Sequence, residues 1–277
     1  MKKKIKLKAY AKLNLFLKVI NKRKDGYHNI ISNLIFLNLH DEIEVSFNKK
    51  NFIEYNGKFK PNSKFFDNDI IIKTLKFLNI KQPLKIKIKK NIPTKAGLGS
   101  ASANAAGLIK ALEYLNLTKI KDYAYYAKLG SDIPACLLSK NCLVRGRGEK
   151  IHQIDNFKKY LYILIKPDVN ISTIDMYGKV SKKKLKKIDK KYDKKNIINH
   201  TFNFGNDFEN IAIKKNKKIK QLLQFLSSLE DAKHSGMSGS GSCCYSIFES
   251  KKNFYNAYKK ITKQFPKYWS FKGYNLK

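Results

Sequence analysis

The residues from Asn91 to Ala106, NIPTKAGLGSASANAA, have the types and spacing of a backbone cradle for phosphate. A strand exit turns through Pro93, Gly97 and Gly99 and runs into an alanine-rich helix. Glycines remove the Cβ atoms that keep an anion away from backbone N–H groups. A helix that begins there aims its unpaired N–H groups and the positive end of its dipole at the same point. Ser100 and Ser102 add hydroxyls at the helix start. This is not a Walker A loop, because no Gly-Lys-Ser/Thr follows at the required spacing and Lys95 precedes the glycines. Taken alone, the stretch fits equally a glycine-rich turn capping an ordinary helix.

Five other places carry reactive or recognising groups. Lys12 and Asn14 stand two apart in a run of alternating residues. A lysine there is by base rate a solvated strand lysine. Lys24-Asp25-Gly26-Tyr27-His28 holds a tight-turn signal followed by an aromatic and an imidazole. That pair suits stacking on and hydrogen bonding to a ring, or plain turn packing. Asp132, in Leu129-Gly130-Ser131-Asp132-Ile133-Pro134, is placed to cap a helix, and its carboxylate could equally face a cleft. Arg145-Gly146-Arg147-Gly148-Glu149 reads as a solvated turn. His234 to Ser242 is a second glycine/serine loop.

The elements that must position these groups follow from periodicity. From Ile5 to Val19 every odd position is apolar, which predicts extended strand with one face on a core and a bend near Tyr10. Lys12 and Asn14 then lie on the exposed face. Further strands are predicted at Asn29–Leu37, Ile43–Phe47, Phe52–Tyr55, Leu84–Lys90, Cys142–Val144, Tyr160–Ile165, Cys244–Phe248 and Tyr268–Tyr274. Helical spacing marks Asp69–Leu78, Ser100–Leu115, Asp122–Leu129, Phe208–Ile213, Ile219–Leu229 and Asn253–Phe265. Lys182–Lys195 reads as an exposed lysine-rich run. The pattern restarts near Asp155–Lys159, which predicts two domains, 1–157 and 158–277. The last strand, about 268–277, is a candidate to return to the first.

Composition limits the partners. The chain has 277 residues, 43% hydrophobic, with a formal net charge of +37. Only Arg23, Arg145 and Arg147 are arginine, and the remaining basic residues are lysines spread over the whole chain. Specific nucleic-acid readers lean on arginine forks, so a composition bias explains the charge at least as well as a binding patch. Four cysteines form no C-x-x-C pair, which predicts a reducing, cytoplasmic compartment and no metal framework. Lysines interrupt every apolar run near the N-terminus, and no long apolar stretch predicts a membrane span.

Three motifs in order make the sequence resemble the GHMP family of small-molecule kinases. They are Ala11-Lys12-Leu13-Asn14-Leu15, then Pro93-x-x-x-Gly97-Leu98-Gly99-Ser100-x-Ser102-Ala103, then Met237-Ser238-Gly239-Ser240-Gly241-Ser242-Cys243-Cys244. The Asp25–His28 turn, Leu129–Pro134 and Asn206-Asp207-Phe208-Glu209 point to the branch that acts on a cytidine-diphosphate-linked methylerythritol. The resemblance implies an α+β fold, with an N-terminal domain like ribosomal protein S5 domain 2 and a ferredoxin-like C-terminal domain. It implies ATP and Mg2+ as cofactors and phosphorylation of the substrate's 2-hydroxyl. Pro93, Thr94, Lys95, Ala96, Gly97, Leu98, Gly99, Ser100, Ala101, Ser102 and Ala103 would hold the ATP phosphates. Asp132 would be the general base and Lys12 its partner. Asn14, Tyr27, His28, Tyr177, Ser240 and Gly241 would contact the substrate. No metal ligand is legible, no nucleic acid or membrane partner is implied, and a monomer or weak homodimer is expected. Alternatives are a mevalonate- or homoserine-kinase-like member, or a basic nucleic-acid binder. Ser100 and Ala101 stand where the branch often has glycines, so a loop needing positive φ there would be strained.

Overall fold

The computed structural model describes residues 4–61, 69–180 and 201–276. The lysine-rich run Lys182–Lys195 lies outside the described residues.

The chain opens with two long antiparallel strands, β1 (Lys4–Lys22) and β2 (His28–Phe47), joined at the Asp25-Gly26 turn. Sequence periodicity read β2 as two pieces; it is one strand that serves two neighbours. Its first half pairs with β5 (Cys142–Gly146), and its second half pairs with β4 (Leu84–Lys89). Strand β3 (Phe52–Asn56) runs parallel to β4, with α1 (Ile70–Phe77) between them in the chain. β6 (Lys150–Gln153) closes the edge beside β5, completing a six-stranded sheet. Helix α1 starts where Asp69 accepts the N–H of Ile71 at 2.7 Å, an N-cap that satisfies a first-turn donor.

Helix α2 (Ser100–Tyr114) covers this sheet. Its apolar stripe Ala105, Leu108, Ile109 and Leu112 is buried in one core with Ile43, Val45, Ile86 and Ile88. The stretch from Asp122 forms a 3-10 turn, Tyr123–Lys128, rather than a regular helix, followed by the short α3 (Ile133–Leu138).

The second half builds a separate four-stranded sheet from β7 (Leu161–Lys166), β8 (His234–Met237), β9 (Cys244–Phe248) and β10 (Trp269–Tyr274). Helix α4 (Thr173–Gly178), α5 (Glu209–Lys215) and α6 (Lys217–Ser227) lie in the chain between β7 and β8, and α7 (Lys251–Gln264) lies between β9 and β10. The spatial order is β10-β7-β9-β8, all antiparallel, which is the split βαβ arrangement of a ferredoxin-like domain. The final strand β10 therefore belongs to this second sheet. Its end also reaches back to the first half: Tyr274 N–H donates to Asn38 Oδ1 of β2 at 2.9 Å, and beyond the strand Leu276 N–H donates to Phe36 O at 2.7 Å.

One departure from the sequence reading positions the site. β1 does bend near Tyr10, through a register shift between Tyr10 and Lys12. The bulge switches faces. Before it, Ile5, Leu7 and Ala9 pack in the α2 core. After it, Ala11, Leu13 and Leu15 pack against Tyr162, Leu164 and Tyr245 of the second sheet. Lys12 and Asn14 consequently turn toward the helix layer, and they are 5% and 3% exposed instead of solvated. The expectation of an exposed face fails because β1 is covered on both sides.

A half-buried histidine marks the second sheet. His234 stacks on Phe202 with centroids 5.3 Å apart, and burial holds its imidazole below the ordinary range. The folded protein then binds fewer protons than the unfolded chain, so stability falls as pH drops below about 6.5. His234→Phe is expected to flatten that decline, read from urea midpoints between roughly pH 6.5 and 5. An unchanged slope would place its source elsewhere.

Candidate active site

A cleft of about 900 Å³ runs between the glycine loop, the start of α3, α4 and the second glycine/serine loop. Every residue from Pro93 to Ser102 lines it, together with Lys12, Asn14, Asp132, Tyr177, Ser240 and Gly241. Ala103, the last residue of the motif, is buried in the α2 core instead.

The glycine loop takes its shape from three residues at positive φ: Lys95 (50°), Gly97 (72°) and Gly99 (69°). Ser100 and Ala101 are the first residues of α2 and are right-handed helix. The strain anticipated for them does not arise, because the left-handed positions fall on the retained glycines and on Lys95. Both glycines are also forced by close approach. A Cβ at Gly97 would stand 2.0 Å from Ser238 O, and one at Gly99 would stand 2.8 Å from Lys12 Cγ. Helix α2 has no side-chain cap at Gly99, so its first-turn N–H groups are left for an anion in the loop.

Two layers of hydrogen bonds hold this loop. On one side it is bonded to the second sheet's loop: Ser238 Oγ donates to Gly97 O at 2.9 Å, and Cys243 N–H donates to Ala96 O at 3.2 Å. Lys12 N–H donates to Leu98 O at 3.1 Å, which ties β1 to the same turn. On the other side lies a buried cluster that sequence reasoning missed. Asp41, fully buried, accepts Asn91 N–H at 2.6 Å and Ile92 N–H at 2.8 Å through Oδ1. Its Oδ2 accepts Asn104 Nδ2 at 2.8 Å and pairs with the buried ammonium of Lys90. Lys90 Nζ also donates to Ser100 Oγ at 2.5 Å and Asn104 Oδ1 at 2.6 Å. Burial pushes the Lys90 ammonium down in pKa, and Asp41 opposes the shift. Ser100 thus lines the cleft, as Ser102 does, and is also engaged beneath the loop. Asp41 and Lys90 are single charged residues 49 apart in sequence, and neither carries a local signal.

Lys12 reaches the cleft from below the loop. Its Nζ donates to Asn14 Oδ1 at 2.5 Å and stands 3.6 Å from Asp132 Oδ2. Asn14 is oriented in turn by donating from Nδ2 to Ser32 Oγ at 2.8 Å. Asp132 sits at the N-cap position of α3 yet makes no side-chain capping bond, and its side chain is 36% exposed. The carboxylate is therefore free to face the cleft beside an ammonium.

At the far end, Tyr177 lines the cleft, stacked on His28 with centroids 5.0 Å apart and edge-on to Phe208 at 4.8 Å. Burial raises the Tyr177 phenol, and Asp132 adds to the shift. Burial lowers the His28 imidazole. Tyr27 is half exposed at the rim, outside the cleft wall, with the Arg147 guanidinium 4.9 Å from its ring centroid. Ser240 Oγ is 2.8 Å from Thr173 Oγ1. The Asn206–Glu209 motif acquires a structural task. Asn206 Nδ2 donates to Met237 O and Gly239 O, both at 2.8 Å, and Glu209 Oε2 accepts Met237 N–H at 2.9 Å. It thereby shapes the second loop from behind.

Family comparisons agree with this arrangement. Residues 69–140 match the GHMP kinases N terminal domain, and residues 193–267 match the GHMP kinases C terminal domain. The chain belongs to the GHMP kinase family. Within it, the chain is 33% identical to a 4-diphosphocytidyl-2-C-methyl-D-erythritol kinase of Caldanaerobacter subterraneus subsp. tengcongensis, over 95% of this chain and 94% of that one. It is 34% identical to the protein of the same name from Francisella tularensis subsp. tularensis, over 96% and 95%. A crystal structure of a 4-(cytidine 5'-diphospho)-2C-methyl-D-erythritol kinase superposes with a TM-score of 0.80 at 21% identity, covering 99% of this chain and all of that one. Homoserine kinase from Cytophaga hutchinsonii shares the fold with a TM-score of 0.66 at 17% identity, covering 100% and 95%. GHMP kinases use ATP. Among the described residues no helix is long and apolar enough to cross a membrane.

Proposed function

We propose that this chain transfers the γ-phosphoryl group of ATP to the 2-hydroxyl of 4-diphosphocytidyl-2-C-methyl-D-erythritol, a step of non-mevalonate isoprenoid precursor synthesis. The observation that carries the reading is the Lys12–Asp132 pair, 3.6 Å apart beside the glycine loop, in a chain with near-full-length relatives of that name. The division of the chain into a nucleotide-binding half, 1–157, and a second half, 158–277, belongs to the same reading.

Phosphoryl transfer needs positioning and charge stabilisation more than covalent help. Pro93–Ser102 and the open start of α2 supply backbone donors for the ATP phosphates. A tertiary alcohol is a weak nucleophile. Asp132 Oδ2 accepts its proton as the oxygen bonds to the γ-phosphorus and the bond to ADP breaks. Lys12, whose ammonium stands beside that carboxylate, offsets charge building on the transferred oxygens. Asn14 fixes where the Lys12 ammonium stands. Tyr27, His28 and Tyr177 form the end that receives the cytosine ring, and Ser240 and Gly241 line the wall between.

Mg2+ fits this donor set as a companion of the nucleotide. The described residues contain no cluster of three or more His, Cys, Asp or Glu, so no all-protein cage is built. The Ser102 hydroxyl and the Asp132 carboxylate are hard oxygens in the cleft. When bound, Mg2+ supplies charge neutralisation on the phosphates, and it commonly keeps waters and phosphate oxygens among its ligands.

A coupled ADP-release assay with ATP and a substrate panel tests the reading. Turnover is expected with the cytidyl substrate. Turnover with mevalonate or homoserine instead would sink it.

A further inference from the structure

Four cations line the cleft among the described residues: Lys12, Lys90, Lys95 and Arg147. Three have assigned surroundings. Lys12 is held by Asn14 and Asp132, Lys90 is tied to three buried acceptors, and Lys95 belongs to the glycine loop. Arg147 has no ion-pair partner among the described residues. The nearby Asp25 and Glu149 carboxylates are both engaged by Arg23. The Arg147 backbone N–H donates to Glu149 Oε2 at 2.7 Å, while its guanidinium lies against the Tyr27 ring. A cation–π contact holds a guanidinium in place without neutralising it.

The fold fixes where this charge stands. Strand β5 runs antiparallel to β2, with Arg145 opposite Ile31 and Gly146 opposite Ile30. Arg147 therefore emerges beside the start of β2, next to His28 and Tyr27. The other side of its loop is pinned to the residue before Asp132. Gly148 has φ +125°, and a Cβ there would stand 2.2 Å from Ser131 O. One short turn thus spans the ring-binding rim and the carboxylate that takes the hydroxyl proton. In a cytidine-diphosphate ester, the diphosphate is what lies between the ring and the alcohol.

We propose that Arg147 receives the diphosphate of the cytidyl substrate; this rests on the functional reading above. Its planar fork suits two phosphate oxygens, and it is less strongly hydrated than an ammonium. The Tyr27 ring holds it in readiness at the cleft rim.

Calorimetric titration of CDP, cytidine and ATP into the full chain separates the possibilities. Arg147→Met is expected to weaken CDP by about 10–30-fold, through loss of charge-assisted bonds. Cytidine and ATP affinities should stay within about twofold, with the ATP value reporting an intact cleft. Arg147→Lys should recover part of the CDP loss, because charge returns without the fork. Equal losses for CDP and cytidine would show that Arg147 acts on the ring through Tyr27, which overturns the proposal. Unchanged CDP affinity would overturn it too, while leaving the kinase reading intact. Failure of the unsubstituted chain to bind CDP would refute the cytidyl reading itself and this assignment with it.

Discussion

Asp132→Asn should lower kcat by about 10²–10⁴-fold, the usual contribution of a positioned general base. The substitution keeps the shape of the side chain and removes its charge and basicity. ATP affinity should change little, because the glycine loop is held by Ser238, Cys243, Asp41 and Lys90, none of which depends on Asp132. Stability should also be spared. The side chain makes no capping bond, and its one ion pair, to Lys12, is partly exposed. Single-turnover ADP release together with ATP titration measures both quantities. Turnover within tenfold of the unsubstituted chain would place the base on another residue.

The second large effect concerns folding. Asp41→Ala is expected to cost about 3–5 kcal/mol, the range for removing one partner of a buried ion pair. Asp41 is fully buried and accepts bonds from Lys90, Asn104, Ser100 and two backbone N–H groups. Its removal leaves the Lys90 ammonium without a counter-charge in a place where burial already disfavours it. Urea unfolding gives the number. Asp41→Leu combined with Lys90→Met should recover a large part of the loss, since an apolar pair of similar size avoids the unpaired charge. A loss below about 1 kcal/mol in the single variant would mean that water reaches the cluster. The effect is not confined to stability. The same carboxylate ties residues 91–92, before the loop, to residues 100 and 104, after it. A rise in KM for ATP should therefore accompany the loss.

Much of this was legible from local rules. The glycine loop, the α2 helix and the Asp25-Gly26 turn are each set by residues within a few positions of one another. The Lys12, Asp132 and loop motifs were readable as a set, and the cleft brings them together. What escaped depends on contacts between distant segments. Period-two alternation placed Lys12 in solvent because it cannot register a bulge that reverses the faces of β1, nor a second sheet that covers the strand. The Asp41–Lys90 cluster joins the middle of β2 to the end of β4, so each member looks like an ordinary charged strand residue. The Asn206–Glu209 motif was visible as a pattern, but its work on the second loop appears only once Met237 and Gly239 lie beside it. Tyr27 and His28 were read as one pair. They part company instead, His28 onto Tyr177 and Tyr27 under Arg147.

The bonding of the glycine loop to the 238–243 loop also bears on how the molecule can move. A two-part enzyme that breathes like a clam needs a line along which its parts can separate. Here the floor of the nucleotide site is stitched to the opposite half through Lys95 O, Ala96 O and Gly97 O, with Gly97 packed too tightly against Ser238 for even a methyl group. Parting the halves along that line would dismantle the phosphate cradle itself. Traffic of nucleotide in and out must therefore leave the floor closed and proceed through the rim, which makes the floor a fixed pivot and not a door.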